Sequence, residues 1–299
     1  MLLKVPATSA NLGPGFDCIG MALNLYNYIE YEFLEKEGYL SLEISGEGAD
    51  SLAKDKSNLV YRAFSRAFIL NNQKVPGIKL KLINNIPLAR GLGSSSAAII
   101  GGLMVANCQL NKRLNDDQLL DLAMEFEDHP DNIAPALLGG IVLCTLNNGK
   151  YYYQKMNPPN PLCCSILIPD FQLSTKMARE VLPDVIPLKD AVFNVGKMGF
   201  FINAINTGNL ELLKLAIDDK LHQPYRSRLI PGLPELFAKA TKSKIILGIA
   251  ISGAGPSVII FHKKEDTDSL GQLQEVLLQH GTAAKLINLK PIVEGAQVL

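Results

Sequence analysis

Small residues dominate the segment PLARGLGSSSA, residues 87–97, which lies between an apolar strand-like run and an apolar helix-like run. Its two glycines let a ligand approach the backbone closely, and a helix that begins near Ser94 leaves several backbone N–H groups free. These donors and the helix dipole favour an anion, and serine hydroxyls can add hydrogen bonds or a magnesium ligand. The segment predicts a phosphate site, although a tight turn with a serine cap explains Gly-Leu-Gly alone equally well.

The loop differs from the common nucleotide-binding motifs. It lacks the lysine of the GxxxxGK[ST] phosphate loop, and the chain contains neither the HRD nor the DFG sequence of protein kinases. The GxGxxG dinucleotide fingerprint is also absent. The segment therefore belongs to none of these three classes.

The composition is that of a globular protein without net charge. The chain has 299 residues, of which 47% are hydrophobic, and its 29 basic and 29 acidic side chains cancel. No Lys/Arg run is long enough to follow a phosphate backbone, so we expect no nucleic-acid partner. The five cysteines show neither CxxC spacing nor an even number, which predicts reduced core thiols in a cytoplasmic protein. They are Cys18, Cys108, Cys144, Cys163 and Cys164.

We expect neither export nor insertion into a membrane. Met1 leads directly into a short alternating segment rather than into the basic start and apolar run of a signal peptide. The longest charge-free run, residues 245–261, approaches the length of a membrane span, but Gly253, Gly255 and Pro256 divide it. Two buried strands joined by a glycine-rich turn are predicted there instead.

The apolar pattern alternates between short strands and helices. Further strands are predicted at residues 2–6, 25–33, 40–45, 78–83, 141–146, 150–156, 163–168 and 283–289. Helices are predicted at residues 58–70 with Ser57 as the N-cap, and at 95–109, 116–126, 132–138, 174–181, 191–205, 210–217, 233–240 and 266–280. The Pro-dense NPPNP, residues 157–161, marks the predicted boundary between a domain of residues 1–156 and one of residues 157–299. This order predicts an α+β fold with helices on antiparallel sheet.

Three stretches together resemble the small-molecule kinase superfamily that includes galactokinase, homoserine kinase, mevalonate kinase and phosphomevalonate kinase. PATSANLGPGFDCIGMAL (6–23), PLARGLGSSSAA (87–98) and ISGAGPSVIIF (251–261) are similar to its three motifs, in order and at suitable distances. The first stretch, with EDHPDNIAPALLGG (127–140), most resembles the homoserine kinase branch, and the resemblance spans nearly the whole chain. It implies an amino-terminal domain like domain 2 of ribosomal protein S5 and a ferredoxin-like carboxy-terminal domain.

The resemblance implies ATP-dependent phosphorylation of the side-chain hydroxyl of L-homoserine, in threonine biosynthesis, with a homodimer as a possible assembly. ATP is then expected at Pro87, Leu88, Ala89, Arg90, Gly91, Leu92, Gly93, Ser94, Ser95, Ser96 and Ala97. Ser95 and Glu127 are the candidate ligands of Mg²⁺, because one hydroxyl and one carboxylate suit this hard ion. Glu125 is the rival carboxylate, and Glu127 as a solvated acid at a helix end is the structural alternative. Asp128 replaces the usual glycine of the family, which leaves the local geometry open.

The acceptor site is implied at two of the motifs. Four residues match homoserine-site positions of the family: Asn11, Asp17, His129 and Asn132. Asp17 offers charge to the ammonium group, His129 and Asn11 offer neutral acceptor atoms, and Asn132 is expected at the reacting hydroxyl. Asp131 is the candidate general base, because related kinases have an aspartate in a similar DN pair. The proline and aspartate of this segment are equally typical of a helix start.

Three residues of the second half complete the implied site. Thr175 and Arg179 lie four residues apart on a predicted helix, and Arg226 lies in HQPYRSRLIPG. Both arginines match positions that bind the substrate carboxylate. Without the resemblance, Arg179 would be interpreted as a solvated helix arginine and Arg226 as a salt-bridge partner in a loop. The turn SGAGPS (252–257) is expected to lie against the substrate or the phosphates, or to be a tight turn only.

Two other functional classes stay open. A sister kinase that acts on mevalonate or on diphosphocytidyl-methylerythritol would keep the ATP loop and replace the amino-acid pocket. A non-catalytic member would be expected to lack Glu127 or the loop glycines, and this chain has them all.

Overall fold

The computed structural model describes residues 1–263 and 267–299. Its strands are β1 (Leu2–Ala10), β2 (Ile19–Leu34), β3 (Leu40–Gly46), β4 (Gly77–Asn84), β5 (Ile141–Asn147), β6 (Lys150–Met156), β7 (Cys163–Pro169), β8 (Ile246–Ile251), β9 (Val258–His262), β10 (Ala284–Leu289) and β11 (Gln297–Val298). Its α-helices are α1 (Leu59–Leu70), α2 (Ser94–Asn107), α3 (Asp116–Ala123), α4 (Pro130–Leu138), α5 (Thr175–Glu180), α6 (Leu188–Thr207), α7 (Leu213–Ala216), α8 (Gln223–Arg226), α9 (Leu233–Ala240) and α10 (Thr267–Gln279).

The strands form two sheets. In the first, the order β11-β1-β2-β4-β3 is extended by β5, which pairs with β2, and by β6, which pairs with β5. Among its described pairs, β3 and β4 run parallel and the others antiparallel. The second sheet has the antiparallel order β10-β7-β9-β8. Helices pack on both sheets, so the predicted α+β class is confirmed.

Helical periodicity explains how α1 and α2 cover the first sheet. In α1 the buried side chains recur at three- and four-residue steps, as in Val60, Ala63, Phe64 and Ala67, and this face packs against α2. The helix α2 is apolar around most of its circumference because it lies between α1 and β1, with α4 beside it. The serine-rich end of α2 is thereby fixed at the edge of the core.

Two features join the second half of the chain to the first sheet. The strand β11 pairs with β1, so the chain returns to the first sheet after β10. Side chains of the second sheet, including Ile166 and Phe261, belong to the same apolar cluster as those of β1. The domain division between residues 156 and 157 stays a prediction.

The structure corrects two predicted element starts. The cap of α1 is Asn58, whose Oδ1 accepts from the amide of Val60 at 3.0 Å, and not Ser57, whose hydroxyl donates to Asp55. Asparagine and serine are equally good caps, so the sequence did not distinguish them. The strand β2 begins at Ile19 rather than at residue 25, because its first five residues are all buried and show no alternation.

Other differences lie in the second half of the chain. The helix predicted at residues 210–217 is a 3-10 turn, Leu210–Leu212, followed by the four-residue α7. The helix α10 occupies the range predicted for it, except that its predicted start at Asp266 lies outside the described residues. All five cysteines are free. Cys144 and Cys164 are buried as predicted, but Cys18 is exposed and Cys108 and Cys163 are half-buried, which corrects the prediction of core thiols for these three. No helix within residues 1–263 and 267–299 is both long and apolar enough to cross a membrane.

Candidate active site

A cavity of about 160 Å³ lies where the three motifs meet. The predicted site residues that line it are Asn11, Asp17, Pro87, Ala89, Arg90, Gly91, Leu92, Gly93, Ser94, Ser95, Ser96, Glu127, His129, Asp131, Asn132, Thr175, Arg179 and Arg226. Leu88 and Ala97 do not line it: Leu88 lies beside Gly48, and Ala97 is buried within α2. Neighbours in a loop or helix face different sides, and contact of these two residues with ATP stays a prediction.

The loop before α2 presents backbone donors to this cavity. Ala89, Gly91 and Gly93 all have positive φ, at 52°, 71° and 68°, which turns successive N–H groups toward one side. Gly93 is the N-cap of α2 and gives no side-chain cap hydrogen bond. The alternative of a serine-capped turn is therefore wrong, and the first turn of α2 keeps its amides for an anion.

The turn between β8 and β9 holds this loop against the first motif. Ser252 Oγ lies 2.6 Å from Gly91 O and 2.8 Å from Ser9 Oγ, and the amide of Gly253 donates to Ala10 O at 3.0 Å. A Cβ at Gly91 would lie 2.1 Å from Ser252 O, so only glycine fits. The Arg90 guanidinium donates to carbonyls at the end of β7. The three motifs are thus one connected unit.

The two candidate metal ligands are in contact. Ser95 Oγ donates to Glu127 Oε1 at 2.6 Å. Glu125, the rival carboxylate, pairs with Arg66 at 2.7 Å on the surface and does not line the cavity. Asp128 is exposed and also lies outside the lining. A hydroxyl and a carboxylate oxygen at the mouth of an anion site fit Mg²⁺, which is bound by one or two protein oxygens together with phosphate and water.

A cluster of charged groups occupies the other end of the cavity. Asp17 Oδ1 accepts from Arg179 Nη2 at 2.7 Å and Asp17 Oδ2 accepts from Nη1 at 3.2 Å. His129 Nε2 lies 3.3 Å from Asp17 Oδ2. Within the described residues, the buried Nε of Arg179 has no hydrogen-bond partner. The cluster thus contains a carboxylate, a guanidinium and one unused charged donor.

Two asparagines orient the acidic groups of the site. Asn11 Nδ2 donates to Gly253 O at 2.8 Å, and its Oδ1 accepts from the amide of Asp17 at 3.0 Å. Both polar atoms of Asn11 are therefore already engaged, and its role as an ammonium ligand stays a prediction. Asn132 Oδ1 accepts from Thr8 Oγ1 at 2.7 Å, and Asn132 Nδ2 donates weakly to Asp131 Oδ1 at 3.4 Å.

Burial changes the proton affinity of three residues. Asp131 is 4% exposed, and burial, with the charge of Asp17, raises its pKa to about 7. Burial lowers the pKa of His129, so its ring is neutral at neutral pH. Burial and the charge of Arg179 lower the pKa of Arg226 to about 10, which leaves its guanidinium charged. An almost completely buried, charged Arg226 lining a cavity is typical of anion recognition.

Sequence reasoning missed the residues that hold Arg226. His222 is fully buried: its Nε2 lies 2.9 Å from Gly13 O and its Nδ1 lies 3.3 Å from Arg226 Nη1. Because a carbonyl can only accept, Nε2 carries the proton and Nδ1 accepts from the arginine. Asp219 accepts from the amide of His222, and the Phe16 ring stacks on the imidazole. The available signal was the histidine in HQPYR, four residues before the arginine.

The chain resembles known proteins over both halves. Residues 58–140 match the model described as GHMP kinases N terminal domain, and residues 201–282 match GHMP kinases C terminal. A homoserine kinase of Carboxydothermus hydrogenoformans is 44% identical, over 98% of this chain and 94% of its own. One of Caldicellulosiruptor saccharolyticus is 48% identical, over 86% and 82%. The crystal structure of homoserine kinase from Cytophaga hutchinsonii has a TM-score of 0.88 at 28% identity, over 100% of this chain and 97% of the other.

Proposed function

This chain belongs to the homoserine kinase family of the GHMP kinases, and we propose that it transfers the γ-phosphoryl group of ATP to the side-chain hydroxyl of L-homoserine. The products are O-phospho-L-homoserine and ADP. One observation carries the proposal: a helix N-terminus with free donors and the ion pair of Asp17 with Arg179 line the same cavity. The helix N-terminus suits the phosphates of ATP, and the ion pair suits an acceptor that carries both an ammonium and a carboxylate group.

The charges of L-homoserine complement this ion pair. Its ammonium group takes a place beside Asp17, and its carboxylate accepts from the unused Nε of Arg179 and from Arg226. The exposed Thr175, one turn before Arg179 on α5, donates its hydroxyl to the same substrate from the rim. One internal ion pair is then replaced by two pairs with the substrate, so no buried charge is left without a partner.

Phosphoryl transfer takes place at the serine-rich end of the cavity. The amides of residues 91–96 hold the phosphates, because this reaction depends mainly on positioning and charge neutralisation. Ser95 and Glu127 hold Mg²⁺, which neutralises charge on the phosphate oxygens when it is bound. Asn132 positions the substrate hydroxyl, and Asp131 accepts its proton, because a pKa near 7 suits a general base at neutral pH.

The proposal also assigns the cellular location, the domain division and the oligomeric state of the protein. The enzyme acts in the cytoplasm, where its five free cysteines stay reduced. Residues 1–156 and 157–299 form its two domains, with the site between them. Two chains form a homodimer.

The test is ADP formation by the purified protein with ATP and Mg²⁺, measured by a coupled assay with and without L-homoserine. We expect L-homoserine to stimulate ADP formation strongly, and mevalonate and diphosphocytidyl-methylerythritol to have no effect. Turnover of either alcohol without a response to L-homoserine would assign the chain to a sister kinase. Binding of ATP without turnover of any acceptor would make it a non-catalytic member.

A further inference from the structure

A buried threonine on β1 connects the phosphate loop with the acceptor end of the candidate site. Thr8 is completely buried and lies outside the lining of the cavity, so its side chain does not reach a ligand. Its amide donates to Leu92 O at 3.1 Å, and its hydroxyl donates to Asn132 Oδ1 at 2.7 Å. Thr8 thus joins the loop that holds the phosphates in the proposed function to the residue that positions the acceptor hydroxyl.

The start of α2 leaves room for this hydrogen bond only because its N-cap is a glycine. A Cβ at Gly93 would collide with Thr8 Oγ1 and would lie 3.1 Å from Asn132 Oδ1. A larger residue at this position would push the hydroxyl and the amide away from each other. The position of Asn132 is therefore coupled to the same turn that presents the backbone donors.

The Thr8 hydroxyl decides which end of the Asn132 amide faces the cavity. An amide oxygen can only accept and an amide nitrogen can only donate, so the hydrogen donated by Thr8 fixes Oδ1 on the side of β1. Nδ2 then faces Asp131, whose Oδ1 lies 3.4 Å away. The reversed amide would bring two acceptor oxygens together there, and among the described residues the Thr8 hydroxyl has no other partner.

An amide nitrogen in this place supplies a donor to the oxygen atom of the acceptor hydroxyl. Such a hydrogen bond positions the attacking oxygen and leaves the hydroxyl proton free to be accepted by Asp131. An amide oxygen in the same place would accept the hydrogen bond of that proton and turn it away from Asp131. The orientation of Asn132 therefore matters for the transfer itself.

We propose that Thr8 is a positioning residue of phosphoryl transfer, whose hydroxyl holds Asn132 with Nδ2 toward the acceptor oxygen and in fixed register with the phosphate loop. This inference rests on the proposed kinase function. Thr8 contacts neither substrate and acts through Asn132. It should therefore affect the rate of transfer much more than the binding of either substrate.

The first test removes only the hydroxyl. Thr8→Val has nearly the same shape and keeps the amide that donates to Leu92 O. We expect kcat with L-homoserine to fall about 100-fold, and KM for either substrate to change less than about twofold, because a displacement of about 1 Å suffices for such a loss of rate. Thr282→Val is the control, since Thr282 is also buried and lies outside the cavity. An unchanged kcat for Thr8→Val would overturn the proposal.

A second pair of variants applies if valine disturbs the core. Thr8→Ser and Thr8→Ala both lack the methyl group, and only serine keeps the hydroxyl. The kcat of Thr8→Ser should stay near that of the wild type, whereas the kcat of Thr8→Ala should fall as it does for valine. Equal kcat values for the serine and alanine variants would limit Thr8 to packing and contradict its positioning role.

A double-mutant cycle tests whether Thr8 acts through Asn132. Because Asn132→Ala removes the group that Thr8 holds, the addition of Thr8→Val should lower kcat no further. Losses that multiply would show that Thr8 acts independently of Asn132, against the proposal. Turnover of L-homoserine by the wild type tests the kinase function separately. If the wild type phosphorylates another alcohol instead, the same variants are compared on that alcohol, and a wild type without turnover of any acceptor would overturn both proposals.

Discussion

At the residue scale, the candidate site is preorganised by backbone strain and by charges that partner one another. Asn11, Leu12 and Asp17 have positive φ values of 70°, 46° and 59°, which cost of order 1 kcal/mol each in non-glycine residues. The strain persists because Asn11 is hydrogen-bonded at both ends of its amide. The loop thereby directs the Asp17 carboxylate toward Arg179 before a substrate arrives.

Arg179 should decide whether the acceptor carboxylate is recognised. Its removal deletes a charge-assisted contact of about 1.5–3 kcal/mol, so Arg179→Ala should lower kcat/KM for L-homoserine by about 10- to 150-fold. For the analogue 3-aminopropanol, which has no carboxylate, kcat/KM should fall much less, and KM for ATP should stay the same. Arg228→Ala is the control, because Arg228 is exposed and outside the cavity. Equal losses of kcat/KM for both acceptors would show that Arg179 supports the fold and does not recognise the carboxylate.

Glu127 and Glu125 provide a comparison for the metal site. Glu127→Ala should lower kcat by about 100-fold and raise the Mg²⁺ concentration for half-maximal activity, because it removes a ligand next to Ser95. Glu125→Ala breaks only a surface pair with Arg66, worth about 0–1 kcal/mol, and should be silent. The measurement is a magnesium titration at saturating ATP and L-homoserine. A normal titration for Glu127→Ala would remove the metal assignment.

Ionisation of the Asp131 carboxyl group should lower the free energy of unfolding. Its folded pKa, about 7, lies above the unfolded value of 3.8, so the fold binds its proton more tightly. The free energy of unfolding therefore falls as pH rises from about 4 to 7, by about 4 kcal/mol at 1.36 kcal/mol per pKa unit. Asp131→Asn, which stays neutral, should be more stable than wild type at pH 8 and similar at pH 4, and its kcat should be lower by about 100-fold, the usual loss when a general base is removed. Urea unfolding at both pH values tests this, and a difference independent of pH would contradict it.

At the element scale, the loop before α2 and the turn between β8 and β9 position each other. The sequence predicted the start of α2 because glycine, serine and an apolar run are local signals. It did not indicate that Ser252 contacts both Gly91 and Ser9, since these contacts join segments far apart in the chain. The glycines of the loop are thus required by packing between elements as well as by a ligand.

Two glycines with similar φ allow the effect of packing on stability to be measured separately from that of backbone strain. Gly91 and Gly149 have φ of 71° and 75°, so alanine is similarly strained at both, by about 1–2 kcal/mol. A Cβ at Gly91 collides with Ser252 O, whereas at Gly149 it meets open space. Gly91→Ala should therefore lower the free energy of unfolding by about 1–3 kcal/mol more than Gly149→Ala does. Thermal unfolding of both variants measures the difference, and equal melting temperatures would show that the loop can shift.

At the scale of the whole molecule, buried polar groups connect the second half of the chain to the first motif. Asn194 on α6 donates to Pro14 O, and Asn11 Nδ2 donates to Gly253 O. His222 adds the contacts to Gly13 and Arg226. Because these groups are buried, each lost partner costs about 1–3 kcal/mol, which holds the two halves in one geometry.

His222 should act on acceptor binding through Arg226. His222→Phe keeps a ring to stack on Phe16 but removes both hydrogen bonds. We expect KM for L-homoserine to rise about 10-fold, in line with one lost hydrogen bond to a charged group, while KM for ATP is unchanged. His280→Phe is the control, because His280 pairs with Glu235 on the surface. A fall in melting temperature without a change in KM would limit His222 to a structural role.

The sequence by itself determined the local features of this protein. Apolar periodicity and caps predicted most strands and helices, and the small residues of 87–97 predicted an anion site at the start of α2, because both depend on neighbours in the chain. It also supplied the site residues through motifs that resemble a family. Where the local signal was ambiguous, as between Ser57 and Asn58 or in the fully buried start of β2, the prediction failed.

Only the tertiary structure decided how these residues are partnered. Asp17 and Arg179 are 162 positions apart, and Asn11 and Gly253 are 242 apart, so no spacing in the sequence relates them. The proton affinity of Asp131 depends on burial and on charges from distant segments, and Glu127 and Glu125 differ in their distant partners, Ser95 and Arg66. Contacts between remote segments depend on topology, which is set by packing of the whole core, and this is why they could not be predicted from local patterns.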